Sequence, residues 1–203
     1  MRARINPASP FARKVRIVLR ERGLSGQVEE VETSVSPVAP NADLARSNPL
    51  VKIPALILDD GTTLFDSRVV CEYLDTVGSA PRLFPAAGPE RWNALRLQSL
   101  CDGILDAAVI SRYELAVRPE ALRWKDWIAG QRTKIDGGVD ALEREQPSWG
   151  QAFGIGQIGA ACVLGYLDFR FPDIAWRASH PGLAAWFEGV SKRPSVRDTT
   201  PRA

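Results

Sequence analysis

The sequence predicts an α/β domain over residues 1–77 joined to an all-α domain over residues 90–203, and three observations carry that reading. The first 77 residues mix strand-like and helix-like periodicities, whereas everything beyond residue 90 reads as helix. Between them lies the best linker stretch in the chain, Gly78 to Pro89, with three prolines and the two glycines Gly78 and Gly88. The length of 203 residues allows one large domain or two small ones, and 45% hydrophobic with 25% charged residues is ordinary globular composition.

In the first domain, Met1, Ala3 and Ile5 alternate with Arg2 and Arg4, a short strand signal. Ser9-Pro10 follows, an N-cap and a proline suited to the first helical position, and Phe11, Val15, Val18 and Leu19 then line one helix face up to a stop at Gly23. Gln27 to Thr33 predicts a second strand, Ser34 to Pro40 a loop, and Asn41 the cap of a short helix reaching Ser47. The β-prone runs Ala55 to Leu58 and Thr62 to Phe65 flank Asp59-Asp60-Gly61, which predicts an antiparallel hairpin. Asp66-Ser67 opens an apolar-periodic helix carrying Val69, Val70, Tyr73 and Leu74 and ending near Gly78. The order β-α-β-α-β-β-α suits a small sheet with helices packed on it.

In the second domain, Glu90 to Val117 carries Leu97, Cys101, Ile104, Leu105 and Ala108 at helical spacing, and Glu120 to Glu145 carries Trp124, Trp127, Ile128, Gln131, Ile135 and Leu142. Ile155 to Phe169 is apolar nearly all round, which places it at the centre of a bundle, and Leu183 to Ser191 is a last short helix.

Composition excludes several classes of function. Lys+Arg 26 against Asp+Glu 24 gives a net charge of +2, and only Arg13, Lys14 and Arg16 cluster, too little for a nucleic-acid footprint. Cys71, Cys101 and Cys162 lack disulfide-framework or zinc-site spacing and read as reduced thiols of a cytoplasmic protein. No apolar run approaches the ~18–20 residues of a membrane span, and the first residues lack the apolar core of a signal peptide. His180 is the only histidine, so a Ser-His-Asp triad or a histidine-based metal site would have to use it; beside Pro181 it reads as structural.

Three places in the first domain offer hydrogen-bond donors at a loop or a helix start. Ser9 either merely caps its helix or also donates its hydroxyl to an anion brought by a ligand. Val51-Lys52-Ile53-Pro54 stands just before the third strand, where a cis proline would turn the preceding N–H and C=O outward toward an extended peptide-like ligand. Asp66-Ser67 is either a simple cap or a holder of an amino acid zwitterion, the carboxylate taking the ammonium and Ser67 the carboxylate group. Asp102 and Asp106 share a helix face four residues apart, the spacing of an acid–base or metal pair and equally of an ordinary solvated face.

These places, in this order and spacing, resemble the glutathione S-transferase family. Ser9-Pro10-Phe11 matches its Ser-Pro-Phe start, Asn48-Pro49-Leu50-Val51-Lys52-Ile53-Pro54 its Asn-Pro-x-x-x-[Val/Ile]-Pro segment, and Asp66-Ser67 its acidic-Ser pair ahead of Val70-Cys71-Glu72-Tyr73-Leu74. In the second half, His180-Pro181, Leu183, Trp186 and Arg193-Pro194-Ser195 look like the family's helical domain. Asp102-Gly103-Ile104-Leu105-Asp106 and Gly165 to Arg170 look like a small bacterial, YibF-like branch. The resemblance implies a thioredoxin-like N-terminal domain with a C-terminal helical bundle, and glutathione as co-substrate with no other cofactor and no metal. It makes Ser9 the residue that stabilises the glutathione thiolate, with Phe11 beside it, Lys52 near the glycine carboxylate, Ile53 ahead of a cis Pro54 pairing with the cysteinyl part, and Asp66 and Ser67 holding the γ-glutamyl end. It assigns the second substrate, a small hydrophobic electrophile, to helices of the second domain, with Asp102, Asp106 and Tyr113 as candidates, and it implies a homodimer. A catalytically weak glutathione-binding or ligand-carrying protein and a glutathione-dependent peroxidase are the alternatives.

The chain departs from the family at Asn6, where a serine is common, and at Gly154-Ile155-Gly156-Gln157, where the family has a Ser/Thr/Asn cap. Ser9 in place of a cysteine removes mixed-disulfide chemistry from that position.

Overall fold

The computed structural model of the chain describes residues 1–202 and divides into two compact units, residues 1–91 with 194–202 and residues 92–193. In the first unit β1 (Arg2–Ile5), β2 (Glu29–Glu32), β3 (Ala55–Ile57) and β4 (Thr63–Leu64) form one sheet in the order β2-β1-β3-β4. β1 pairs parallel with β2 and antiparallel with β3, and β3 pairs antiparallel with β4. The alternation in β1 has the expected result: Ala3 and Ile5 are buried and Arg2 is exposed. β2 carries glutamates at an edge of the sheet, where charge discourages further pairing.

Three helices belong to this sheet: α1 (Pro10–Glu21), α2 (Ala42–Ser47) and α3 (Ser67–Val77). Asn41 caps α2 as its position predicts, accepting from the N–H groups of Asp43 and Leu44. Val15, Val18 and Leu19 of α1 are fully buried, and Phe11, at the start of the same stripe, is half-buried. Burying these aliphatic side chains contributes about 1.5–3 kcal/mol each. The expected order β-α-β-α-β-β-α is the order found.

Two features of this unit differ from the domain limits read in the sequence. Residues 194–202 pack with the first unit: Arg13 donates to the Val196 carbonyl at 3.1 Å, Val196 is buried, and Ser195 donates to the Glu21 carboxylate. The proline-rich stretch after α3 is held down as well. Asp75 accepts from the N–H of Leu83 at 2.8 Å, and Leu83 and Phe84 are buried, so this stretch docks on the unit it was expected to leave.

The remaining helices are α4 (Gly88–Ala116), α5 (Lys125–Glu145), α6 (Ile155–Arg170), α7 (Trp176–Ser179), α8 (Pro181–Ser191) and α9 (Pro194–Arg197). In the second unit α6 is buried almost throughout, as its apolar run predicts. Glycines let the helices approach: a Cβ at Gly156 would lie 2.7 Å from Leu97, and one at Gly138 would lie 2.4 Å from Ile104. Gly154 caps α6 with half of a capping box, its N–H donating to the Gln157 side chain at 3.2 Å. Glu143 of α5 accepts from the N–H groups of Gly182 and Leu183 at 2.9 and 2.7 Å, which satisfies the first turn of α8.

Candidate functional site

Strand directions bring the three N-terminal segments to one end of the sheet. β1 ends at Ile5 and the chain then runs to Ser9. β3 is antiparallel and pairs Ala55 with Arg4, so Ile53 and Pro54 enter beside the end of β1. β4 is antiparallel to β3 and pairs Leu64 with Leu56, so Asp66 and Ser67 leave from that same end. β2 ends there too, with Thr33 donating its N–H to the Ile5 carbonyl at 2.7 Å.

Ser9 is the N-cap of α1, in extended backbone conformation, and its Oγ accepts from the Ala12 N–H at 3.2 Å. An accepting hydroxyl still has a proton to give, and the Ser9 hydroxyl donates to no group among the described residues. The first-turn N–H groups and the helix dipole favour negative charge at this point. Arginines 13, 16 and 20 follow along α1. Arg16 and Arg20 are engaged by Glu30, at 2.6 and 2.8 Å.

The loop ahead of Ser9 is organised by Asn6. Its Oδ1 accepts from the Ala8 N–H and its carbonyl from the Ser9 N–H, both at 2.9 Å, while its Nδ2 donates to the Thr33 carbonyl at 3.5 Å. Asparagine therefore ties this loop to the end of β2. The Asn6-Pro7 dipeptide, a turn-initiating pair, is the signal by which the residue can be found in the sequence.

The peptide between Ile53 and Pro54 is cis, as the resemblance implies, and so is that between Phe65 and Asp66. Pro54 is buried, Ile53 half-buried and Lys52 exposed. The N–H and C=O of Ile53 form no hydrogen bond among the described residues, which leaves one backbone donor and one acceptor able to pair with a peptide-like ligand. Asp66 caps α3 through one carboxylate oxygen, which accepts from the Arg68 N–H at 2.9 Å; the side chain is exposed, and Ser67 beside it is buried.

The other candidates belong to the second unit. Asp102 is buried and Asp106 exposed, so the pair is not a uniformly solvated face. Tyr113 is half-buried, and burial pushes its phenol above the ordinary value. Among the described residues no group of three or more His, Cys, Asp or Glu is arranged to hold a metal ion. No helix among them is long and apolar enough to cross a membrane.

His180 does stand between a serine and a carboxylate. Its Nδ1 lies 2.9 Å from both Ser179 Oγ and the Trp176 carbonyl, and its Nε2 lies 2.8 Å from Asp140. Ser179 Oγ also reaches the Trp176 carbonyl, at 3.3 Å, so the serine, the imidazole and that carbonyl together close the last turn of α7. The imidazole thereby joins α7 to α5.

Two family models match the chain, the glutathione S-transferase N-terminal domain over residues 8–77 and the glutathione S-transferase C-terminal domain over residues 125–189. The GST-like protein YibF of Escherichia coli is 33% identical over 198 residues, covering 95% of each chain. The chain belongs to the glutathione S-transferase family. Its fold is the glutathione S-transferase fold, a small mixed sheet with helices followed by a helical domain. A glutathione transferase family member from Pseudomonas fluorescens, solved with bound glutathione, superposes with a TM-score of 0.97 at 47% identity, over 100% of this chain and 99% of the other. A second structure from that organism, with bound S-(propanoic acid)-glutathione, gives a TM-score of 0.92 at 46% identity over 99% of both chains. Against this family background, the glycine at the head of α6 costs little, because the Gln157 half of the capping box is formed.

Proposed function

We propose that the protein is a glutathione transferase that joins the thiolate of bound glutathione to a small hydrophobic electrophile. The observation that carries this reading is Ser9: a hydroxyl at the start of α1 whose oxygen is occupied by the Ala12 N–H and whose proton is uncommitted. A thiol of reference pKa about 8.5 is mostly protonated at neutral pH, and lowering it by ~2 units requires favouring the thiolate by about 2.7 kcal/mol. One charge-assisted hydrogen bond contributes ~1.5–3 kcal/mol, so the hydroxyl and the helix start together suffice.

In this reading the unpaired N–H and C=O of Ile53, ahead of cis Pro54, pair with the cysteinyl amide. Lys52 faces the glycine carboxylate, and Asp66 and Ser67 hold the γ-glutamyl ammonium and carboxylate. Phe11 packs beside the thiol. The thiolate attacks the electrophilic carbon and a C–S bond forms; a leaving group departs with its electron pair, or an added carbanion takes a proton from water. The S-(propanoic acid)-glutathione held by the Pseudomonas fluorescens relative is a thioether product of this kind, which supports the reading. Asp102, Asp106 and Tyr113 are proposed for the second substrate. A homodimer in the cytoplasm, serving detoxification, completes the proposal, and exposed Leu50 and Val69 in the first unit support the dimer. Sedimentation of a single-chain species at micromolar concentration would refute it.

Retention on immobilised glutathione tests binding, and turnover of a generic aryl halide tests transfer. Retention without turnover makes the protein a glutathione carrier instead, and turnover of cumene hydroperoxide makes it a peroxidase.

A further inference from the structure

We propose that Asn48 is a positioning residue for glutathione binding, acting through the peptide that joins Lys52 to Ile53. This rests on the reading of Ile53 given above. Asn48 is 2% exposed and all of its polar groups are engaged within residues 44–52. Its backbone N–H donates to the Leu44 carbonyl at 2.8 Å, closing α2, and its carbonyl accepts from the Val51 N–H at 2.9 Å. Its side-chain Oδ1 accepts from the Leu50 N–H at 3.0 Å, and its Nδ2 donates to the Lys52 carbonyl at 2.9 Å.

The last of these bonds bears on the ligand. The carbonyl of Lys52 and the N–H of Ile53 belong to one planar peptide unit and point in opposite directions. Fixing the carbonyl inward on Asn48 therefore aims the Ile53 N–H outward, and this is the donor assigned to the cysteinyl part of glutathione. The same turn holds Val51 at φ 52°, a left-handed conformation rare for a β-branched residue. Such a residue persists only where its surroundings over-determine it, and the hydrogen bonds of Asn48 to Leu50, Val51 and Lys52 supply that determination. None of these contacts reaches Ser9, so Asn48 governs how tightly the peptide is held and not how acidic its thiol becomes.

Asn48→Asp isolates the bond, because it keeps the acceptor for Leu50 and removes the donor to Lys52. Glutathione affinity, measured by calorimetry and as KM, is expected to weaken roughly ten- to a hundredfold, since the Lys52 carbonyl loses its partner and the Ile53 N–H its fixed direction. The pKa of the bound thiol, read from thiolate absorbance, is expected to stay where it is in the parent protein. Asn41→Ala, which uncaps the same α2 without touching Lys52, is expected to lower stability while leaving glutathione KM in place. Equal losses of affinity in both variants, or unchanged affinity in Asn48→Asp, overturn the proposal. If Asn48→Asp does not fold, amide exchange in the parent protein decides. The Asn48 carboxamide proton facing Lys52 is expected to exchange slowly and to slow further on adding glutathione, and no response overturns the proposal. A parent protein that does not bind glutathione overturns the transferase reading and this inference with it; a parent that binds beside a variant that binds equally overturns this inference alone.

Discussion

The carboxylate of Asp75 lies 3.2 Å from Nε of Arg22, and both side chains are almost wholly buried. The pair joins the end of α1 to the end of α3. Arg22 also donates to the carbonyls of Asp75 and Gly78, while Asp75 accepts from the N–H groups of Leu83 and Phe84. One buried charge pair thus fixes two helix ends and the start of the proline-rich stretch. Asp75→Ala is expected to lower stability by about 3–5 kcal/mol, the usual consequence of stranding a buried charge. Urea denaturation measures the loss, and limited proteolysis is expected to open the chain between residues 78 and 89. A loss below about 1 kcal/mol would show that Arg22 finds solvent or another partner.

Glu30 supplies a pH-dependent contribution at the acidic end. Burial raises its pKa, but the hydrogen bonds and charges of Arg16 and Arg20 more than offset this and hold it below 4.5. A folded-state pKa below the unfolded one contributes stability above the unfolded value, and that stability is lost as pH falls through the folded value. The difference in urea midpoint between parent and Glu30→Gln is therefore expected to be largest near neutrality and to close as pH drops below about 4. A difference that is constant with pH would mean that the two arginines do not depend on the Glu30 charge.

Tyr166 acts at the alkaline end. Burial pushes its phenol up to about 12, with Arg170 and Arg112 pulling slightly the other way. A folded pKa raised above the unfolded value of about 10 contributes stability fully below that value, and this is lost as pH climbs through the folded one. About two units correspond to ~3 kcal/mol, so the parent is expected to lose roughly that much between pH ~10 and ~12 relative to Tyr166→Phe. Ultraviolet titration of the tyrosines checks the premise. Three tyrosines ionising together near the unfolded value would remove it.

The strand and helix order was legible in the sequence because periods of two and of 3.6 residues are local signals, and so were the caps at Ser9, Asn41 and Asp66. What stayed hidden is long-range. Arg13 meets Val196 across 183 residues and Arg22 meets the backbone of Asp75 across 53. A charged residue that ends up buried carries no mark of it in its neighbours along the chain. The four-residue α9 is too short for any period, so its return to the first unit was invisible. At the candidate site the motif residues could be named, but the hydrogen bonds of Asn6 and Asn48 that shape the two loops needed coordinates.

Ser9→Ala is the sharpest test of the chemistry. The variant keeps the fold, because losing an N-cap costs about 1 kcal/mol and the Asn6 contacts that set the loop remain. Glutathione affinity is expected to persist, since Lys52, Ile53, Asp66 and Ser67 hold the peptide in the proposed reading. The rate of thiol transfer is expected to fall roughly ten- to a hundred-and-fiftyfold, the equivalent of one charge-assisted hydrogen bond of ~1.5–3 kcal/mol. The pKa of bound glutathione, followed by thiolate absorbance, is expected to rise toward the free value of about 8.5. Ser9→Thr, which keeps a hydroxyl at the same cap, is expected to recover part of both. If alanine leaves the pKa and the rate where they were, Ser9 is only a cap and the thiolate is stabilised elsewhere.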